Sequence, residues 1–176
     1  MTEAPLEFSE EDIQHMLENL DSFSSDEVAE IDRIVDELAV REQNELAFED
    51  LIEFCKRMQP DYIVGKHHRI LAGMLMSIER GDKDRICVNI PPRHGKSQLV
   101  SIYFPAWFLG RNPNKKVMMV SHTTDLAVDF GRKVRNLIST DEYSSIFPTV
   151  SLAADSKSAG RWNTSMGGEY YACGIG

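Results

Sequence analysis

The chain has 176 residues, 42% of them hydrophobic, enough to bury one core behind a smaller appendage. Its net charge of −9 hides a division: residues 1–50 carry seventeen acidic and two basic side chains, a net −15, whereas residues 51–176 carry eleven and seventeen, a net +6. Three scattered cysteines (Cys55, Cys87 and Cys173) argue against a disulfide framework, the acidic start against a signal peptide, and the short apolar stretch at 70–78 against a membrane span, so the expectation is a soluble intracellular protein.

The acidic arm reads as helical. Ser9 and Asp12 offer a capping signal before Ile13, Met16, Leu17 and Leu20, which recur at helical spacing. After a polar turn at 21–25, Ser24 and Glu27 repeat the device ahead of Val28, Ile31, Ile34, Val35 and Leu38. A third helix is expected over 48–58, with Phe48, Leu51, Ile52 and Cys55 on one face, ending before Pro60. The arm is either a solvated, loosely docked extension or a docking element for a basic partner. The expected division is an acidic helical extension at 1–58 and a second domain at 59–176.

An amphipathic helix follows, with Ile70, Leu71, Met74, Leu75 and Ile78 on its apolar side and Gly81 as its stop. His67 and His68 are adjacent, and helical neighbours point about 100° apart, so a shared metal ion is not expected. Residues 86–90 (Ile86, Cys87, Val88, Asn89, Ile90) then read as a strand, stopped by Pro91 and Pro92, which lack N–H groups.

The next residues carry the chemistry. Pro91-Pro92-Arg93-His94-Gly95-Lys96-Ser97 joins that strand to a helix over 98–109. A strand, a tight loop with Gly-Lys-Ser and then a helix is how a chain cradles a triphosphate, because the helix N-terminus leaves N–H groups unpaired and carries partial positive charge. Pro92 through Gln98 are the candidate nucleotide-binding residues: Lys96 would reach the terminal phosphates, Ser97 would hold Mg²⁺, and Arg93 adds a planar cation. The strict pattern places glycine five positions before Gly95, where this chain has Ile90, so the loop is a deviant one.

Downstream, the helix is expected to bury Leu99, Ile102 and Tyr103, to kink or end early at Pro105, and to stop at Gly110. Val117-Met118-Met119-Val120 reads as a strand covered on both faces. A second helix from Ser121 and Thr123 carries Leu126, Ala127, Phe130, Val134 and Leu137, giving the alternation of a parallel α/β sheet. Its Arg132, Lys133 and Arg135 are either DNA-facing, an ordinary solvated face or a contact with a neighbouring subunit. Residues 151–160 read as a surface loop. Arg161 to Thr164 and Glu169 to Cys173, around Gly167 and Gly168, read as a hairpin with Trp162 and Tyr170 in the core.

The loop 90–97, the run Phe104-Pro105-Ala106-Trp107 with Gly110-Arg111-Asn112-Pro113, the strand at 117–121, Phe130 to Arg135, Ile146-Phe147-Pro148, Arg161-Trp162 and the glycine-rich segment 167–176 occur in an order that resembles the ATPase region of the large terminase subunit of tailed bacteriophages. The resemblance spans about residues 62–176. It implies a P-loop NTPase fold of the ASCE or RecA-like kind, here incomplete at the C-terminus, with ATP and Mg²⁺ as cofactors. It also implies catalytic roles for Lys96 at the β/γ-phosphates and Arg93 at the γ-phosphate, and makes Gln59, His67 and Arg69 candidates for base recognition, the alternative for these three being a polar helix start. The implied partners are double-stranded viral DNA, the portal protein, the small terminase subunit and further copies in a motor ring, in the host cytoplasm and transiently at the procapsid portal. A hydrolysing member needs a second apolar strand ending in acidic residues, which is not found between Ser97 and Gly176, and its metal-dependent nuclease domain would lie further on. This chain is therefore expected to bind ATP without turning it over alone. A helicase-type ATPase and a non-catalytic prophage remnant acting as a binding module are the alternatives.

Overall fold

Helix α1 (Ser25–Glu49) opens with the expected reciprocal cap in the computed structural model, which describes residues 23–154 and 158–175. The Ser24 N–H and hydroxyl each donate to the Glu27 carboxylate at 2.8 Å, and the Glu27 N–H returns to Ser24 Oγ at 3.4 Å. The helix expected over 9–20 lies outside the described residues. α1 runs on past Phe48, so the next helix does not begin there. The break falls at Asp50, whose extended backbone and carboxylate, accepting from Ile52 and Glu53 N–H at 2.7 and 3.1 Å, start α2 (Leu51–Met58).

The chain forms two compact units, 1–42 and 43–176, a division ahead of the 58/59 boundary read from the sequence. In the first unit, Ile31 and Ile34 are buried on one stripe of α1. In the second, α2 buries Leu51, Ile52, Phe54 and Cys55, while Phe48 is exposed. The Phe54 ring meets Tyr103, Tyr143 and Phe147 with centroids 6.3, 6.2 and 5.9 Å away, forming an aromatic centre for the core. Helix α3 (Lys66–Glu79) adds Leu71, Ala72 and Leu75, and ends as expected at Gly81, whose φ of +80° suits glycine.

The helical run after the loop continues past Pro105 and ends at Arg111, one residue beyond the expected stop at Gly110. It comprises α4 (Lys96–Gln98), a π-helical stretch (Leu99–Tyr103) and α5 (Phe104–Arg111). The wide turn comes just ahead of Pro105, which occupies the first turn of α5, where a missing N–H is tolerated. Gly110 lies one residue before the helix end at Arg111 and is also a packing position: a Cβ there would lie 2.6 Å from the Phe147 ring. Leu99 and Tyr103 are buried, and Ile102 is half-buried.

Three strands form a mixed sheet among the described residues, in the order β1 (Lys116–Ser121), β3 (Glu169–Gly174), β2 (Arg161–Asn163). β1 and β3 are parallel, joined through α6 (Thr124–Ile138) and α7 (Asp141–Ile146); β2 and β3 form the expected antiparallel hairpin. α6 packs on one sheet face, where Trp162 stacks on Tyr170 at 4.9 Å and donates to the Gly131 carbonyl at 3.2 Å. On the opposite face Met118, Val120 and Tyr171 are exposed, so β1 is covered on one face and not on both. Leu126 on α6 is likewise exposed.

Residues 86–90 correct the reading more sharply. They alternate half-buried and exposed, with Ile86, Val88 and Ile90 packed against the core, yet they join no ladder. Alternation records which side chains face inward; a strand also needs a neighbouring backbone, and none of the described segments supplies one.

Candidate functional site

Residues 92–97 turn tightly between the extended segment and α4. Gly95 has φ +71° and is the N-cap of α4, and Arg93 has φ +64°, the one non-glycine residue with positive φ among the described residues. Left-handed residues in a tight turn are a component of the backbone nests that bind anions. No acceptor among the described residues takes the N–H groups of Gly95, Lys96 or Ser97. These are the orphan donors of a helix start.

The side chains fit the same ligand. Arg93 and Ser97 are exposed, Lys96 is half-buried, and none of the three pairs with a described residue. Some cations elsewhere are matched: Arg111 bonds Glu79 at 3.1 Å and Glu49 at 3.2 Å, and Arg161 bonds Glu169 at 2.7 Å. An unpaired ammonium and guanidinium flanking three unused N–H groups suit a polyphosphate. Pro92 is exposed, and its carbonyl accepts from His94 Nδ1 at 2.9 Å, bracing the loop from within.

Gln98 stands apart from this group. Its amide donates to Gln59 Oε1 at 2.8 Å and Tyr103 Oη at 3.2 Å, and the Tyr103 hydroxyl donates to the same Gln59 oxygen at 2.8 Å. The triad closes on itself, so Gln98 and Gln59 join the end of α2 to the helical run. Burial pushes the Tyr103 hydroxyl pKa up, which keeps it protonated as a donor.

The histidines were read incompletely from helical geometry. His67 and His68 do not diverge: their Nε2 atoms lie 3.1 Å apart, and both approach the His94 carbonyl, at 3.2 and 3.0 Å. Among the described residues no group of three or more His, Cys, Asp or Glu side chains is arranged to hold a metal. His68, weighed in the sequence only as a metal ligand, is the buried member, and its Nδ1 accepts the Gly65 N–H at 3.0 Å. The available signal was its place: the third residue of α3 after an N-cap glycine is where a side chain reaches back to cap. Arg69 is exposed on α3.

On α6, Asp129 pairs with Arg132 and, at 2.7 Å, with Lys133, which together hold its carboxyl below the usual carboxylate range. Arg135 also has a partner. Two of the three cations considered for DNA thus share one carboxylate. Among the described residues no helix is long and apolar enough to cross a membrane. Comparison with protein-family models, curated proteins and solved structures gives no match.

Proposed function

We propose that the second unit is the nucleotide-binding body of a terminase-type P-loop ATPase, with residues 92–97 as its phosphate loop. The observation that carries this reading is the set of unused donors: the Gly95, Lys96 and Ser97 N–H groups, beside the unpaired Arg93 and Lys96 cations. Lys96 would neutralise the β- and γ-phosphates, and Arg93, on the exposed rim of the turn, would meet the terminal phosphate with its planar fork. The Ser97 hydroxyl, exposed and unengaged by any described residue, fits a Mg²⁺ ligand. Mg²⁺ bound with the nucleotide supplies charge neutralisation at the phosphate oxygens.

On the resemblance alone, the proposal extends to ATP-driven movement of viral DNA, with the portal protein, the small terminase subunit and further copies as partners. No apolar run ending in two acidic residues is found between Ser97 and Gly176, so these residues by themselves are proposed to bind ATP with negligible turnover.

Calorimetry with a non-hydrolysable ATP analogue and Mg²⁺ tests the site. Lys96→Ala should weaken binding by about 1.5–3 kcal/mol, the range for a charge-assisted contact, and Ser97→Ala should remove the Mg²⁺-dependent part. Equal affinity in all three proteins would overturn the assignment of the loop.

A further inference from the structure

We propose that His68 is the positioning residue of the phosphate loop, holding it from outside through one ring nitrogen while the other ring nitrogen caps α3. The proposal rests on the nucleotide-binding reading for its consequence and on geometry for its mechanism. The Gly65 N–H points at His68 Nδ1 at 3.0 Å, so in the neutral ring that nitrogen is the acceptor and the proton sits on Nε2. Nε2 is then the donor to the His94 carbonyl at 3.0 Å. One imidazole thereby ties the start of α3 to the residue immediately before Gly95.

The contact also fills the space under the loop. A Cβ on Gly95 would lie 2.5 Å from His68 Nε2, so the ring sits directly against the glycine backbone. Together with φ +71°, this makes Gly95 the one residue type that permits both the turn and the ring beneath it. Fixing the His94 carbonyl orients the peptide that carries the Gly95 N–H, the first of the three cradle donors. His67 adds a half-buried second nitrogen 3.2 Å from the same carbonyl.

The two nitrogens can be separated by amide substitutions. Asparagine places its carbonyl oxygen near the Nδ1 position, and glutamine places its amide nitrogen near the Nε2 position. His68→Asn keeps the α3 cap and loses the loop contact; His68→Gln does the reverse. Both are made alone and with His67→Ala, so that the second imidazole cannot substitute.

In the nucleotide-free protein, the Gly95 and Lys96 amide resonances should shift in His68→Asn and stay near their original positions in His68→Gln. Affinity for the ATP analogue should fall roughly fivefold to tenfold in His68→Asn, the value of one neutral hydrogen bond, and stay within about twofold in His68→Gln. A merely structural role would track thermal stability and not this split. Unmoved loop amides in His68→Asn, or equal displacement in both variants, would overturn the proposal. Loss of binding in Lys96→Ala without loss in His68→Asn would overturn the proposal and leave the nucleotide site standing. If the wild-type protein binds no nucleotide, the functional reading fails and the loop amides still decide the positioning claim.

Discussion

The Gln59–Gln98–Tyr103 triad and the 92–97 loop meet where Gln98 follows Ser97 and handle polarity in opposite ways. In the triad, each Gln98 and Tyr103 hydrogen bond ends on a partner that belongs to the fold. In the loop, three backbone donors and two cations have none among the described residues. Buried or half-buried polar groups that find internal partners hold elements together. Groups left exposed with matching charge at a helix start have a ligand's chemistry.

The largest expected effect breaks both regions at once. Phe54→Ala empties the aromatic centre between Tyr103, Tyr143 and Phe147 and should cost about 3–5 kcal/mol in thermal or denaturant unfolding. Lys96→Ala separates the two regions: the loss of about 1.5–3 kcal/mol should appear in nucleotide binding, with an unchanged melting temperature. Gln98→Ala is the mirror case. It should cost about 1 kcal/mol of stability and leave affinity unchanged, because its side chain is committed to Gln59 and Tyr103.

The smallest effect is on pH dependence. Burial is the chief cause holding the His68 pKa below its ordinary value, opposed by hydrogen bonding to the His94 and Ile63 backbone and aided by the neighbouring His67 and His94. The unfolded chain therefore binds the His68 proton at higher pH than the folded chain does. Stability from neutral His68 should be complete above about pH 6.5 and decline as pH falls through the window below it. Melting temperatures measured across that window should show a shallower decline in His68→Gln.

The turn at 92–97 was legible because its residue types carry their own geometry: Gly95 permits positive φ, and Pro91 and Pro92 end extended structure. The cap at Ser24 and the hairpin at 161–174 were legible for the same local reason. The failures share a cause too. Alternating burial at 86–90 gave no indication of whether a neighbouring backbone was present, and an all-apolar run at 117–120 did not reveal that Met118 and Val120 face outward. Pro105 read as a breaker until the π-helical stretch ahead of it supplied the context that carries the helix on to Arg111, one residue past Gly110. His68 acts through the fold that brings α3 beneath the loop, and spacing along the chain does not encode that approach.

A backbone amide titration with the Mg²⁺ complex of a non-hydrolysable ATP analogue tests the central claim most directly. The Gly95, Lys96 and Ser97 resonances should move together and saturate at one nucleotide concentration, and inorganic triphosphate should move the same three. Nucleotide binding that leaves those amides in place and shifts another surface would contradict the account.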